Sequence, residues 1–107
     1  MPERRLHPRI SACLEMNICG EQSLVSGTTI DISLGGASMR AARGFPEGET
    51  VLVVLSGQPG DALFLAEVLE SSAIDAGSTT KTRVMFRNVS TKRRDLLTQM
   101  ITSAAAA

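Results

Sequence analysis

Three arginines stand among the first nine residues, in the run Arg4-Arg5-Leu6-His7-Pro8-Arg9, and two strands' length downstream comes Asp31-Ile32-Ser33-Leu34-Gly35-Gly36. The first run supplies separated, permanently charged cations whose planar forks bind phosphate oxygens in pairs and whose planes stack on bases. The second supplies a carboxylate and a hydroxyl on a glycine-jointed turn. Together they suit a ligand that carries phosphates and a hydrogen-bonding base. Each half also has a plainer reading. Clustered arginines in a polar segment are often solvated, and Asp and Ser at a strand end bond nearby amides while Gly takes a positive φ.

The elements that must position these groups read as strands. Ile10, Ala12, Leu14, Met16 and Ile18 alternate with Ser11, Cys13, Glu15, Asn17 and Cys19, the period of a half-buried strand. A turn at Gly20 to Ser23 leads to a second strand, Leu24 to Ile32, that delivers Asp31 and Ser33 to its end. The Gly35-Gly36 pair lets the chain fold back into a short third strand, Ala37 to Arg40. Arg40 ends that strand and is a candidate accessory to the site. Gly and Pro mark Arg43 to Gly48 as a loop, followed by a buried apolar strand from Thr50 to Leu55. After the turn Ser56 to Asp61, two further strands run from Ala62 to Ser71 and from Thr80 to Asn88.

Six short strands without intervening helices predict an all-β fold, a six-stranded antiparallel β-barrel, since closure removes exposed edges. The period then changes. Leu96, Leu97, Met100, Ile101 and Ala104 share one helical stripe, and Ser90 or Thr91 can cap it. The expected organisation is a single domain over 1–107: an arginine segment 1–9, a barrel 10–89 and a C-terminal α-helix 90–105 that plugs the barrel or packs on its side.

Composition narrows the function. Eleven acidic and eleven basic side chains cancel, and three Phe with neither Tyr nor Trp give no platform for stacking single-stranded bases. Binding of long nucleic acid is disfavoured. No apolar stretch suits a signal peptide or a membrane span, so no membrane insertion and a cytoplasmic location are expected. Cys13 and Cys19 would lie roughly 20 Å apart on one straight strand, too far to bridge, and read as free thiols. One His and no Cys-x-x-Cys pair leave no adequate metal ligand set. No nucleophile has a base beside it in sequence, so the chain does not read as an enzyme, and no cofactor is expected.

Arg5-x-x-x-Arg9 followed by Asp31-x-Ser33-x-x-Gly36 resembles the two-part motif of PilZ domains, bacterial receptors for cyclic di-GMP. The resemblance runs from Arg4 to about Leu97. It takes in Phe45-Pro46-Glu47-Gly48-Glu49 and Arg83-Val84-Met85-Phe86, where the family often has Gly-Val-x-Phe. Arg83 in place of that glycine and the absence of Trp are departures. The resemblance implies that Arg5 and Arg9 grip phosphates or guanine edges from a segment that wraps over the barrel mouth and orders when ligand arrives. Asp31 would accept from guanine N1–H and N2–H₂, Ser33 would bond phosphate or base, and Gly36, with Gly35, would permit close approach. Arg4 would mark a site for two stacked cyclic di-GMP molecules, and His7 would stand aside. A protein partner would receive the signal, in motility, surface attachment, polysaccharide secretion or virulence. The rival is a degenerate adaptor that binds proteins without nucleotide.

Overall fold

A computed structural model describes residues 9–106. Seven strands, β1 (Ile10–Ser11), β2 (Glu15–Cys19), β3 (Leu24–Ile32), β4 (Gly36–Ala41), β5 (Thr50–Ser56), β6 (Asp61–Ile74) and β7 (Thr79–Arg87), precede one helix, α1 (Thr91–Ala106). The strands pair antiparallel in the order β3-β2-β5-β6-β7-β4, and β4 returns to β3, closing a six-stranded barrel. β1 is the additional strand, lying against the far end of β3. The expected all-β barrel with a C-terminal helix is therefore the observed architecture.

The strand expected from Ile10 to Cys19 is instead broken into β1 and β2. Ser11 pairs with Asp31 and Glu15 with Thr28, so three residues of the first strand face two of β3. That surplus residue is a bulge, and Thr29 fills it. Its hydroxyl donates to the Ala12 carbonyl at 2.5 Å and accepts the Leu14 N–H at 2.8 Å, while its own N–H donates to the Leu14 carbonyl at 2.9 Å. Burial keeps the alternation seen in the sequence, with Met16 and Ile18 fully buried and Cys13 and Cys19 exposed as free thiols. Pattern survives where hydrogen-bond register does not.

The expectation that Thr50 to Leu55 is buried throughout is corrected. Val51, Val53 and Leu55 face the core, whereas Leu52 is 44% exposed, because a barrel strand has one outward face. Leu63 and Leu65 on β6 share that outer face. Inside, Phe64 and Phe86 stack with ring centroids 4.6 Å apart, and Phe45 enters the same core from the loop before β5. Each such side chain gains about 1.5 to 3 kcal/mol on burial.

Ser90 caps α1: its hydroxyl accepts the Arg93 N–H at 3.2 Å and its carbonyl the Arg94 N–H at 2.9 Å. Leu97 and Met100, both fully buried, join the barrel core, so the stripe plugs the barrel. No helix among the described residues is long and apolar enough to cross a membrane.

β6 runs past its expected end at Ser71, because residues to Ile74 continue the ladder with β7 as an exposed hairpin. Its turn puts Ala76 at φ 58, left-handed backbone that costs an L-residue about 1 to 2 kcal/mol. Glycine relieves that cost but loses about 0.5 to 1 kcal/mol of backbone entropy. Ala76→Gly is expected to stabilise the fold by roughly 0.5 to 1 kcal/mol, measured by urea unfolding. A loss of stability would show that Ala76 sits there without strain.

Candidate functional site

Strand register, more than chain proximity, assembles the site. Asp31 on β3 lies opposite Ser38 on β4, Ser38 opposite Arg83 on β7, and Arg83 opposite Glu70 on β6. These four side chains form one row across the barrel's outer wall. A second row carries Gly36, Met85 and Glu67. Two bulges set the alignment. Thr29 pairs with Met39 and Asp31 with Ser38, leaving Ile30 surplus; Val68 pairs with Val84 and Glu70 with Arg83, leaving Leu69 surplus. The second bulge leaves Leu69 40% exposed beside the row.

The result is an open cleft of about 360 Å³ lined by Arg9, Asp31, Ser33, Gly35 and Gly36, with Ser38, Leu69, Arg83 and Met85 among its other walls. Five of the residues singled out in the sequence thus meet. Arg4 and Arg5 lie outside the described residues. Arg40 does not line the cleft: it is exposed two residues beyond Ser38 on the same face of β4, opposite Thr28 and Lys81. A step of about 7 Å along the strand carries it past the row.

The turn between β3 and β4 is held by its own polar groups. The Ser33 N–H donates to the Gly36 carbonyl at 2.8 Å, and the Ser33 hydroxyl accepts the Gly35 N–H at 3.1 Å while donating to the Gly36 carbonyl at 3.4 Å. The Gly35 carbonyl then accepts the Phe86 N–H at 2.9 Å, tying the turn to β7. Ser33 therefore realises the plainer reading of such turns while also lining the cleft. Asp31 is half-buried at the wall.

The glycines fold back without the positive φ expected of them; among the described residues the left-handed glycines are Gly48 and Gly77. Gly36 is required for a different reason. A Cβ there would run into the backbone carbonyl of Val84, which is not a flexible group that can swing aside. Gly36→Ala must push β4 away from β7 and is expected to cost about 1 to 3 kcal/mol, the range for overpacking a close contact. Thermal unfolding checks this, and a neutral result would mean that the two strands part freely.

Charge in the cleft is mixed. Arg83 approaches Glu70 at 3.6 Å, with 31% and 46% of the two side chains exposed. Arg87 is engaged on the flank by Glu67 at 2.6 Å, so of these two arginines it is Arg83 that lines the cleft. Arg83, Leu69 and Met85 were not assigned to a site from the sequence. Arg83 stood out there as a departure from the family pattern, but its cross-strand neighbours were not legible. Among the described residues, no three His, Cys, Asp or Glu side chains gather as a metal site.

A closed antiparallel barrel with one C-terminal helix packed into its core and an open cleft on its outer wall defines a small all-β domain. The PilZ domain family model matches residues 3–103, and the chain belongs to the PilZ domain family. Its fold is similar to the PilZ domain of YcgR from Escherichia coli solved with c-di-GMP, at 24% identity and a TM-score of 0.78, covering 95% of this chain and 92% of that one. YcgR of Escherichia coli in complex with c-di-GMP aligns at 27% identity with a TM-score of 0.78, over 94% of this chain and 46% of the other. The MrkH–c-di-GMP complex of K. pneumonia aligns at 14% identity with a TM-score of 0.74, over 96% and 53%. In sequence the chain is 36% identical over 77 residues to the cellulose synthase catalytic subunit (UDP-forming) of Pseudomonas fluorescens strain SBW25, 69% of this chain. It spans about 10% of the length of that curated relative.

Proposed function

We propose that the chain is a cytoplasmic receptor for cyclic di-GMP that binds its ligand in the outer-wall cleft and acts without catalysis. The observation that carries this reading is the convergence of Arg9 with Asp31, Ser33, Gly35 and Gly36, which lie 22 residues and more further along the chain, on one cleft. The ligand is a dianion with two guanines. Arg9 supplies a forked cation for phosphate or for guanine O6 and N7, and Asp31 an acceptor for the guanine N1–H and N2–H₂ edge. Arg5 is the second motif arginine. On binding, the arginine segment 1–9 orders against the barrel and makes a new surface for a downstream protein. Arg4 adds a third cation, suited to a stacked pair of ligands with four negative charges.

The test is isothermal titration of cyclic di-GMP into the folded protein, with GTP as competitor. Saturable binding near two ligands per chain supports the receptor and the role of Arg4. Binding near one keeps the receptor and removes that role. No binding by folded protein replaces this reading with a nucleotide-free adaptor.

A further inference from the structure

Arg83 is a cation built into the cleft wall by a rigid strand. It stands in the row Asp31–Ser38–Arg83–Glu70, separated from Asp31 by the one strand, β4, that carries Ser38. Two strand spacings put the Asp31 and Arg83 backbones about 10 Å apart. Between them the cleft is lined by small residues: Ser38, and Gly36 two residues earlier on the same strand, which has no side chain. Leu69 and Met85, each 40% exposed, give this slot apolar flanks. A planar base fits such a slot, with an acceptor at one side and a forked donor at the other.

The hold on Arg83 is loose. Its 3.6 Å approach to Glu70 is longer than the roughly 2.7 to 2.9 Å of a charge-assisted hydrogen bond, and the pair is partly open to water. Glu70, on the far side of Arg83 from Asp31, holds the guanidinium at the edge of the slot without tying up its five donors. We propose that Arg83 is a base-reading residue of this site, giving a bidentate pair to O6 and N7 of a guanine whose N1–H and N2–H₂ edge faces Asp31. The inference rests on the receptor reading above and adds a specificity contact to it.

The experiment compares cyclic di-GMP with its 7-deaza analogue, in which each N7 is replaced by CH, by titration into the parent protein, Arg83→Ala and Arg83→Lys. Phosphates, O6 and the N1/N2 edge are the same in both ligands. The parent is expected to prefer cyclic di-GMP by about 5- to 150-fold, the discrimination of one bidentate pair. That preference should narrow at least about five-fold in Arg83→Ala, and Arg83→Lys, which keeps the charge and loses the fork, should not restore it. Thermal unfolding confirms that both variants are folded. If Arg83→Ala weakens both ligands equally, Arg83 serves the phosphates and the proposal falls. It also falls if the variant binds like the parent, or if the parent does not distinguish the ligands. If the folded parent binds neither ligand, the receptor reading falls and takes this one with it.

Discussion

Arg9→Ala is expected to weaken cyclic di-GMP binding about 30- to 150-fold, the loss of one charge-assisted contact worth roughly 2 to 3 kcal/mol at 1.4 kcal/mol per decade. Arg9 lines the cleft from the residue before β1, beside the end of β3 that carries Asp31. It is half-buried and outside the core, so its removal leaves the barrel intact, with a change in unfolding free energy within about 0.5 kcal/mol. Arg5→Ala should show a loss of similar size, since the resemblance makes the two arginines partners in one motif. Arg9→Lys should recover little, because a lysine keeps the charge and loses the fork. Titration and thermal unfolding on the same preparations decide the matter. If both alanine variants are folded and bind within a few-fold of the parent, the arginines are not the grip.

Leu97→Ala is expected to have the largest effect on stability, about 2 to 5 kcal/mol. Leu97 has no exposed surface and lies with Met100 in the cluster that fills the barrel. Truncating it removes transfer free energy and leaves a void that the closed barrel cannot easily collapse around, because the surrounding strands are fixed by their ladders. A domain of this size has about 5 to 15 kcal/mol in total, so the variant approaches marginal stability at body temperature. Its melting temperature should fall by roughly 4 to 8 °C for each kcal/mol lost. Leu24→Ala is the contrast, since Leu24 is 64% exposed and little is lost there. A Leu97→Ala loss below about 1 kcal/mol would mean that α1 rests on the barrel rather than plugging it.

β3 illustrates what local pattern can carry. Its span Leu24–Ile32 is legible to the residue, because a Thr- and Ile-containing run bounded by turn residues has few alternatives. The helix is equally legible in its change of period, and Ser90 was one of the two capping candidates named from residue type alone. The region 12–14 illustrates the limit. Its alternation persists while its ladder does not, because the bulge depends on which β3 residue lies opposite, and Thr29 is fifteen residues from the Leu14 amide it receives. Gly36 was singled out correctly for the wrong constraint: the turn needs no left-handed glycine, and the strand β7, nearly fifty residues away, needs the space.

The residue types of the site, the six barrel strands and the presence of a C-terminal helix were determined by the sequence alone, since propensity, period and turn chemistry act over a few neighbours; the break that makes β1 a separate strand and the place of the helix against the core were not. Which side chains share the cleft was decided only by tertiary structure. Cross-strand register, shifted by one residue at Ile30 and again at Leu69, aligned Arg83 with Ser38 and Asp31, and left Arg40 beyond the cleft on the same strand face. A bulge is a property of two strands at once, and barrel closure between β3 and β4 couples all six, so no single run of residues contains that information.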